Sequence, residues 1–208
     1  MADRFPLIVN NSANAIQELA ASDNLDLANS NIVNVVDITA SGNVNVGGVL
    51  TYQDVTNVDS IGIITAQSGI KVLAGGMDMK GLLQEKVKIT ADKLSNFPAI
   101  NLTDGMVHYF TTTETTTSTP NIISTVGINT QMAVGDTASV TVITSADTGG
   151  YSARVNIDGL ATGITTSWVG GSSPTTGGAS GSLDIYSYQI IKTGSATFTV
   201  IANLTNAA

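Results

Sequence analysis

Apolar and polar residues alternate in short runs through the first half of the chain. The runs share a pair of apolar residues two positions apart: Leu25/Leu27, Val36/Ile38, Val44/Val46, Ile61/Ile63, Ile70/Val72 and Met77/Met79. Glycine, asparagine, aspartate and serine, which form tight turns, separate the pairs. Because alternation with a period of two predicts a strand with one buried face, residues 31–104 are predicted to be a series of short β-strands.

Two stretches of this region, residues 35–51 and 61–79, share one pattern. Each has apolar residues, then Thr-Ala, Ser-Gly, an alternating apolar triplet and Gly-Gly, at an offset of 26 to 28 residues. Strands this short bury little apolar surface, whereas ordering each residue costs about 1–2 kcal/mol of backbone entropy. The balance improves if the strands stack as solenoid rungs or if several chains wrap around a common axis. We therefore predict that the chain associates with itself.

The buried faces of these short strands would supply the contacts between chains. Six apolar residues form the predicted oligomer interface: Val44, Val46, Ile61, Ile63, Ile70 and Val72. Pairing of the strands within one chain and pairing between chains both agree with the pattern.

The segments that flank the repeats are predicted to be extended. Ser12 can cap a helix that continues to Ala20, but asparagines interrupt this segment and it is shorter than the roughly 12 residues that an isolated helix needs. Between Lys80 and Leu94, a helical stripe competes with alternation, and the valine, isoleucine and threonine content favours a strand. Residues 1–30 are predicted to form a separate N-terminal segment.

Alternation is sustained over longer strands in residues 105–208, which are predicted to be a separate C-terminal domain. The longer strands are predicted at residues 138–142, 151–157, 183–193 and 196–204. Asp104-Gly105 predicts a hairpin between residues 100–102 and 106–110. About seven half-buried strands in about 100 residues are typical of an antiparallel β-sandwich or jelly roll.

Composition and charge remove several classes of function. The 208 residues carry a formal net charge of −8, which leaves little positive charge to neutralise phosphates, so we expect no nucleic-acid partner. The absence of cysteine excludes disulfides, thiolate metal ligands and cysteine nucleophiles. No apolar run approaches the roughly 18 residues of a membrane span, and the apolar stretch from Phe5 to Val9 is too short for a signal peptide.

Residues with catalytic or metal-binding chemistry are few. The single histidine, His108, lies in a predicted strand, and no serine occupies a nucleophile-elbow motif, so a structural role is favoured. Glu114 and Asp136 are the conceivable carboxylate pair of a glycosidase. Asp147 and Asp158 are conceivable calcium ligands, although no DxDxDG loop is present. We predict no catalytic residue, no metal and no cofactor.

Two low-complexity segments are interpreted as loops or edges. The glycine-rich loop 170–181 lacks the Gly-Lys-Ser/Thr ending of a phosphate-binding loop. It follows the sole tryptophan, Trp168, for which packing in the core is favoured and contact with a receptor or sugar is the alternative. The run from Thr111 to Pro120 is interpreted as a solvated edge strand or linker.

Long stretches of the sequence carry a family resemblance. They are MADRFPLIVNNSANAIQELAASDNLDL, NVDSIGIITAQSGIKV, GMVHYFTTTETTTSTPNIISTVGINTQMAVGDTASVTVITSADTGGYSARVNIDG and SLDIYSYQIIKTGSATFTVIANL. They resemble virion structural proteins, including tail-fibre-like proteins, of tailed phages that infect marine cyanobacteria. The resemblance implies a trimeric particle component whose N-terminal part is attached to the virion and whose C-terminal domain faces outward. It supplies no catalytic residue and leaves tail, neck and capsid positions open.

The predicted fold class is therefore all-β, with a triple-stranded or solenoid-like shaft at residues 31–104 followed by an antiparallel β-sandwich or jelly-roll head. The expected function is that of a non-enzymatic virion protein, a homotrimeric fibre or appendage whose residues 1–30 bind another virion protein. The alternative is a receptor- or carbohydrate-binding module in which Trp168 and the C-terminal loops contact a glycan of the host surface. A depolymerising enzyme is a third hypothesis, and we expect no such activity.

Overall fold

The computed structural model describes residues 7–10, 14–18, 32, 34–36, 38–46, 63–66, 70–72 and 75–207. The chain divides into two compact units, Met1–Ile70 and Lys71–Ala208. Strands account for 37% of the structure, with almost no helix, and the sheets are mixed. The broad prediction of a β-rich chain is therefore confirmed.

The first unit contains a short hairpin. Strands β1 (Leu7–Asn10) and β2 (Ala15–Glu18) pair in antiparallel register, and Asn14 has a φ of 49°, a left-handed conformation that asparagine tolerates in a turn. The preference for an extended segment over a helix is confirmed for β2. The described residues from 32 to 46 and from 63 to 66 form no strand in the single chain, so pairing of these residues between chains stays a prediction.

The described residues of the second unit form nine strands, a single-turn α-helix and one turn of 3₁₀-helix. The strands are β3 (Val87–Thr90), β4 (Ala99–Asn101), β5 (Val107–Phe110), β6 (Asn121–Ile123), β7 (Thr137–Ser145), β8 (Asn156–Ile157), β9 (Ile164–Trp168), β10 (Leu183–Gly194) and β11 (Thr197–Ala207), and the helices are α1 (Ile128–Gln131) and the 3₁₀ turn Leu102–Asp104. The strand expected between Lys80 and Leu94 is confirmed at β3. Residues 151–157, predicted to be one strand, form a strand only at β8.

These strands form two sheets. The larger has the order β3-β5-β7-β10-β11-β9, and the smaller has the order β4-β6-β8. Strand β10 is antiparallel to both β7 and β11, while the other pairings within these two sheets are parallel. The prediction of an antiparallel domain is therefore correct for the centre of the larger sheet and wrong elsewhere.

The parallel pairings follow from the path of the chain. From β3 to β9, each strand lies in the opposite sheet from the strand before it, so every second strand returns to the same sheet. In four cases the returning strand runs parallel to its neighbour. Parallel strands need such crossovers, which tight turns cannot supply. The strand pair β3–β5 also crosses the domain boundary predicted between residues 104 and 105.

The hairpin predicted at Asp104-Gly105 is wrong. The side chain of Asn101 accepts a hydrogen bond from the Thr103 amide at 3.1 Å and begins the 3₁₀ turn, after which the chain enters the other sheet. Gly105 has a φ of 136°, and a Cβ there would lie 2.6 Å from the carbonyl oxygen of Lys86. The glycine therefore serves a close backbone approach beside β3 rather than a two-residue hairpin.

Both sheets contribute to one hydrophobic core. Each strand of the smaller sheet supplies one fully buried isoleucine, and the larger sheet supplies alternate residues of β7, β10 and β11. The core residues of these strands include Ile100, Ile122 and Ile157 from the smaller sheet and Val140, Val142, Tyr186, Tyr188, Ile190, Val200 and Ala202 from the larger. The alternation seen in the sequence therefore identifies the buried faces of the long strands correctly.

Candidate functional site

The conceivable carboxylate pair, Glu114 and Asp136, is not brought together. Asp136 directly precedes β7, and its side chain accepts the Ala133 amide at 2.7 Å. The Glu114 amide instead donates to Ser145, the last residue of β7, at 2.8 Å. Since a nine-residue strand is roughly 30 Å long, the two carboxylates lie at opposite ends of it and cannot act on one glycosidic bond.

Glu114 holds the fold together from a buried position. Its carboxylate accepts hydrogen bonds from the amide and hydroxyl of Ser95, both at 2.8 Å. It also accepts the amides of Thr115 and Thr116 at 3.1 and 3.2 Å. These donors compensate for the desolvation of a buried charge. The interpretation of Thr111–Pro120 as a solvated segment is therefore wrong at Glu114, which joins the loop after β3 to the end of β7.

The conceivable calcium ligands have separate structural roles. Asp147 accepts the Gly149 amide within its own turn at 3.1 Å. Asp158 accepts the amides of Ile128 and Asn129 at 2.9 and 2.8 Å, where its carboxylate caps the start of α1. Within the described part of the chain, no three histidine, aspartate or glutamate side chains are grouped so that they could hold a metal ion.

His108 is a buried residue of β5. Its Nε2 lies 3.1 Å from the carbonyl oxygen of Gly105, and because a carbonyl can only accept, Nε2 carries the proton of the neutral ring. Burial lowers the pKa of the ring, and the hydrogen bond to Gly105 and the carboxylate of Asp104 oppose this effect. The geometry agrees with the structural role favoured from the sequence.

The lowered pKa of His108 predicts a loss of stability in mild acid. The unfolded chain takes up this proton near the ordinary pKa of about 6.5, whereas the folded chain takes it up at lower pH. The His108 contribution is therefore fully present above pH about 6.5 and is lost as the pH falls below that value. Urea unfolding of the wild type and of His108→Gln between pH 8 and pH 5 measures it.

The variant should show the smaller decline, and the difference belongs to His108 because the chain has one histidine. Equal declines, or a ring that titrates in NMR at or above pH 6.5, would contradict the burial argument.

Two charged residues of β10 share the buried face of the strand with its apolar residues. Gly178 donates its amide to both carboxylate oxygens of Asp184, at 3.0 and 3.2 Å, and Asn206 donates its Nδ2 at 2.6 Å. At the other end of the row, the buried Lys192 donates its Nζ to the carbonyl oxygens of Asn129 and Met132. Asp184 and Lys192 are an even number of positions from Tyr186, Tyr188 and Ile190 and therefore lie on the same face of the strand. The alternation in the sequence was sufficient to predict that both charged residues are buried.

Three aromatic rings form a row from the core to the surface. Tyr186 and Tyr188 stack with a centroid separation of 6.3 Å, and Trp168 meets Tyr188 edge to face at 6.5 Å. Ala202 lies in register between Tyr188 and Trp168, and its small side chain lets the two rings meet across β11. Burial raises the pKa of both tyrosines, which keeps their hydroxyls neutral. The favoured core contact of Trp168 is thus present, although the indole is only partly buried.

The other side of Trp168 lines an open cleft of about 710 Å³. One wall is β9 with the start of the loop 170–181, and the other is the segment 153–156, which leads into β8. Arg154, Asn156, Thr166 and Ser173 contribute polar groups. This cleft brings the sole tryptophan together with an arginine and is the best candidate for a ligand site in the described residues.

The predicted interface residues are largely exposed in the single chain. The exposed fractions of five of them are 69% for Val44, 43% for Val46, 94% for Ile63, 67% for Ile70 and 47% for Val72. Ile61 lies outside the described residues. These side chains are therefore accessible to another copy of the chain.

Comparison with known proteins adds no assignment. No family model, curated protein or solved structure matches this chain. Across the ranges that the structure describes, no helix has the length and hydrophobicity needed to cross a membrane.

Proposed function

We propose that this protein is a non-enzymatic virion structural component that assembles as a homotrimer. The observation that carries the proposal is a long series of exposed apolar side chains, which we call the apolar segment and define by the described residues between Ile32 and Ile89. Its large members are Ile32, Val35, Val36, Ile38, Val44, Val46, Ile63, Ile64, Ile70, Val72, Met77, Met79, Leu82, Leu83, Val87 and Ile89.

The apolar segment is unusual for a chain that acts alone. Single exposed apolar residues are ordinary on protein surfaces, but a sustained series of them marks an interaction surface or an aggregation hazard. Burying a valine or isoleucine side chain contributes about 1.5–3 kcal/mol. Association of copies along the segment would recover this free energy at many positions and would couple folding to assembly.

The arrangement of the repeats supports a shaft followed by a head. The repeats of residues 35–51 and 61–79 offer equivalent apolar positions to neighbouring copies, as a triple-stranded shaft that ends before β3 requires. Strands β3 and β4, which the predicted boundary at residue 104 puts in the shaft, belong to the two sheets of the C-terminal part. Two sheets that share one core support a β-sandwich head in the C-terminal part. The resemblance to virion proteins of phages that infect marine cyanobacteria supports a location on the particle, with residues 1–30 bound to another virion protein.

The roles of the acidic residues support a structural rather than an enzymatic function. Glu114, Asp158 and Asp184 use their carboxylate oxygens to accept backbone or amide donors that hold loops and strands in place. A carboxylate occupied in this way is poorly placed to transfer protons to a substrate.

The location is tested on purified phage particles. An antibody against the protein, applied to gradient-purified particles by immunoblot and by immunogold labelling, should detect it at one fixed position on the tail, neck or capsid. Recovery of the protein only in the unassembled fraction of the lysate would contradict a virion component.

The cleft beside Trp168 favours a second candidate function, that of a receptor- or carbohydrate-binding module. A partly exposed indole beside hydroxyl, amide and guanidinium groups is a suitable arrangement for a saccharide, because aromatic faces contact sugar rings and polar groups pair with hydroxyls. The two candidates are compatible, since a virion protein can carry a binding site in its outward domain.

A further inference from the structure

We propose that the cleft between β8 and β9 binds an anionic saccharide, a sugar that carries a carboxylate or a sulfate group. The inference rests on the second candidate function and gives it a ligand class. It depends on the position of the cleft, on the rigidity of its aromatic wall and on the exposed guanidinium group of Arg154.

The cleft lies where the two sheets end. Strand β9 is the outermost strand of the larger sheet, and β8 is the outermost strand of the smaller one. The described residues add no further strand on this side of either sheet, and the two edges leave a gap of about 710 Å³. Ligand clefts typically measure about 300–1,000 Å³, so this gap can hold one or a few sugar residues.

The aromatic wall is fixed before any ligand binds. Trp168 rests edge to face on Tyr188, which stacks on Tyr186 with an interplanar angle of 6°. The Tyr186 hydroxyl accepts the amide of Ser152 at 3.0 Å. Because Ser152 lies two residues before Arg154, this hydrogen bond also fixes the backbone of the wall opposite Trp168. A wall that is already ordered loses little conformational entropy when a ligand binds.

Among the described residues, Arg154 is the one basic side chain that lines this cleft. After Leu94 the chain has two basic residues, Arg154 and Lys192, and Lys192 is buried against carbonyl oxygens. Arg154 is exposed, lines the cleft, and has no carboxylate within 4.0 Å among the described residues. No acidic side chain of the described residues lines the cleft. An exposed guanidinium group with no carboxylate beside it favours an anionic ligand locally, although the net charge of −8 on the whole chain opposes one.

The chemistry of Arg154 indicates which anionic groups the cleft can bind. A guanidinium group presents a planar fork of donors that pairs with two oxygens of a carboxylate or sulfate. The side chains of Asn156, Thr166 and Ser173 form no hydrogen bond within the part of the chain that the structure describes, so they are free to pair with sugar hydroxyls. A ligand with an anionic group that pairs with Arg154 and a sugar ring that packs on Trp168 would contact both walls of the cleft.

Titration of the full-length chain with defined saccharides tests the inference. The probes are a sulfated heparin tetrasaccharide, a tetramer of galacturonic acid and neutral maltotetraose, and the readout is isothermal titration calorimetry. Fluorescence supplies a second readout, because Trp168 is the only tryptophan. One or both anionic probes should bind at least tenfold more tightly than maltotetraose and should change the tryptophan emission.

Matched variants separate the cleft from general electrostatics. Arg154→Gln should weaken binding of the anionic probe at least tenfold, which corresponds to about 1.4 kcal/mol. Lys86→Gln removes the same charge from an exposed residue outside the cleft and should change the affinity less than twofold. Trp168→Ala should also weaken binding at least tenfold, with unfolding followed in parallel to establish that the variant folds.

The other possible results contradict, in turn, the ligand class, the location of the site and the binding function itself. Equal affinity for maltotetraose, with binding still dependent on Trp168, would overturn the anionic ligand class and leave the binding module in place. Equal losses for Arg154→Gln and Lys86→Gln would overturn the cleft as the site. Failure of all three probes to bind would overturn the inference together with the second candidate function, while the proposed virion assembly would be unaffected.

Discussion

Replacing Gly150 with alanine should lower the free energy of unfolding by about 3 kcal/mol or more. A Cβ at this position would overlap with the carbonyl carbon and oxygen of Glu114, far closer than the sum of the van der Waals radii allows, and would lie 2.8 Å from the Cγ of Glu114. The backbone of Glu114 cannot move away cheaply, because its amide donates to Ser145 and its carboxylate holds Ser95. The substitution therefore strains the network that joins the loop after β3 to β7.

Urea unfolding at a single protein concentration measures this effect, and Gly194→Ala is the matched control. Gly194 belongs to the same unit and lies outside the apolar segment, and a Cβ there would meet its nearest atoms, in the side chain of Thr197, at ordinary contact distances of 3.4 and 3.5 Å. The control should change the free energy of unfolding by no more than about 0.5 kcal/mol. A Gly150→Ala protein as stable as the control would mean that Glu114 does not approach Gly150 as closely as the structure has it.

Replacing Val46 or Ile70 with aspartate should convert the proposed trimer to monomers. Both side chains are exposed in the single chain, so the substitution costs little there. In a trimer with a shared axis, each substitution would bring three carboxylates together in a desolvated interface, which costs several kcal/mol. Sedimentation velocity of the purified variants measures the change.

Val126→Asp is the control for this experiment. Val126 is also an exposed valine, but it lies between β6 and α1, outside the apolar segment. Its replacement should leave the sedimentation coefficient unchanged. If Val46→Asp and Ile70→Asp sediment like the wild type as well, these residues do not face other copies of the chain.

The long strands were predictable because each is amphipathic by itself. Alternation placed β7, β10 and β11 close to their true bounds, and Tyr186, Tyr188 and Val140 lie on the buried faces of these strands. The pairing of the strands could not be predicted in the same way, because the partner of a strand depends on the crossovers that precede it in the chain. Four residues of β5 carry no local sign that they lie between β3 and β7 in parallel register.

The candidate site, like the fold, was predictable from the sequence only where a single residue or segment carries the information. Trp168 is a candidate from the sequence alone because it is the sole tryptophan, but Arg154 lies in a segment whose alternation predicts one continuous strand. The two meet because β8 and β9 are both edge strands, which is a property of the sheet order and not of either segment. Glu114 was missed as a buried residue because a threonine-rich run resembles a solvated segment, and its donors include a residue 19 positions away.

The most direct test of the proposed assembly is the solution mass of the full-length protein, measured by light scattering after size-exclusion chromatography. A homotrimer has a mass of three times 21.3 kDa, or about 64 kDa, and we expect its band on an unheated denaturing gel to persist until boiling. A clean monomer of 21.3 kDa would contradict it, because the apolar segment would then remain exposed or close upon itself within one chain.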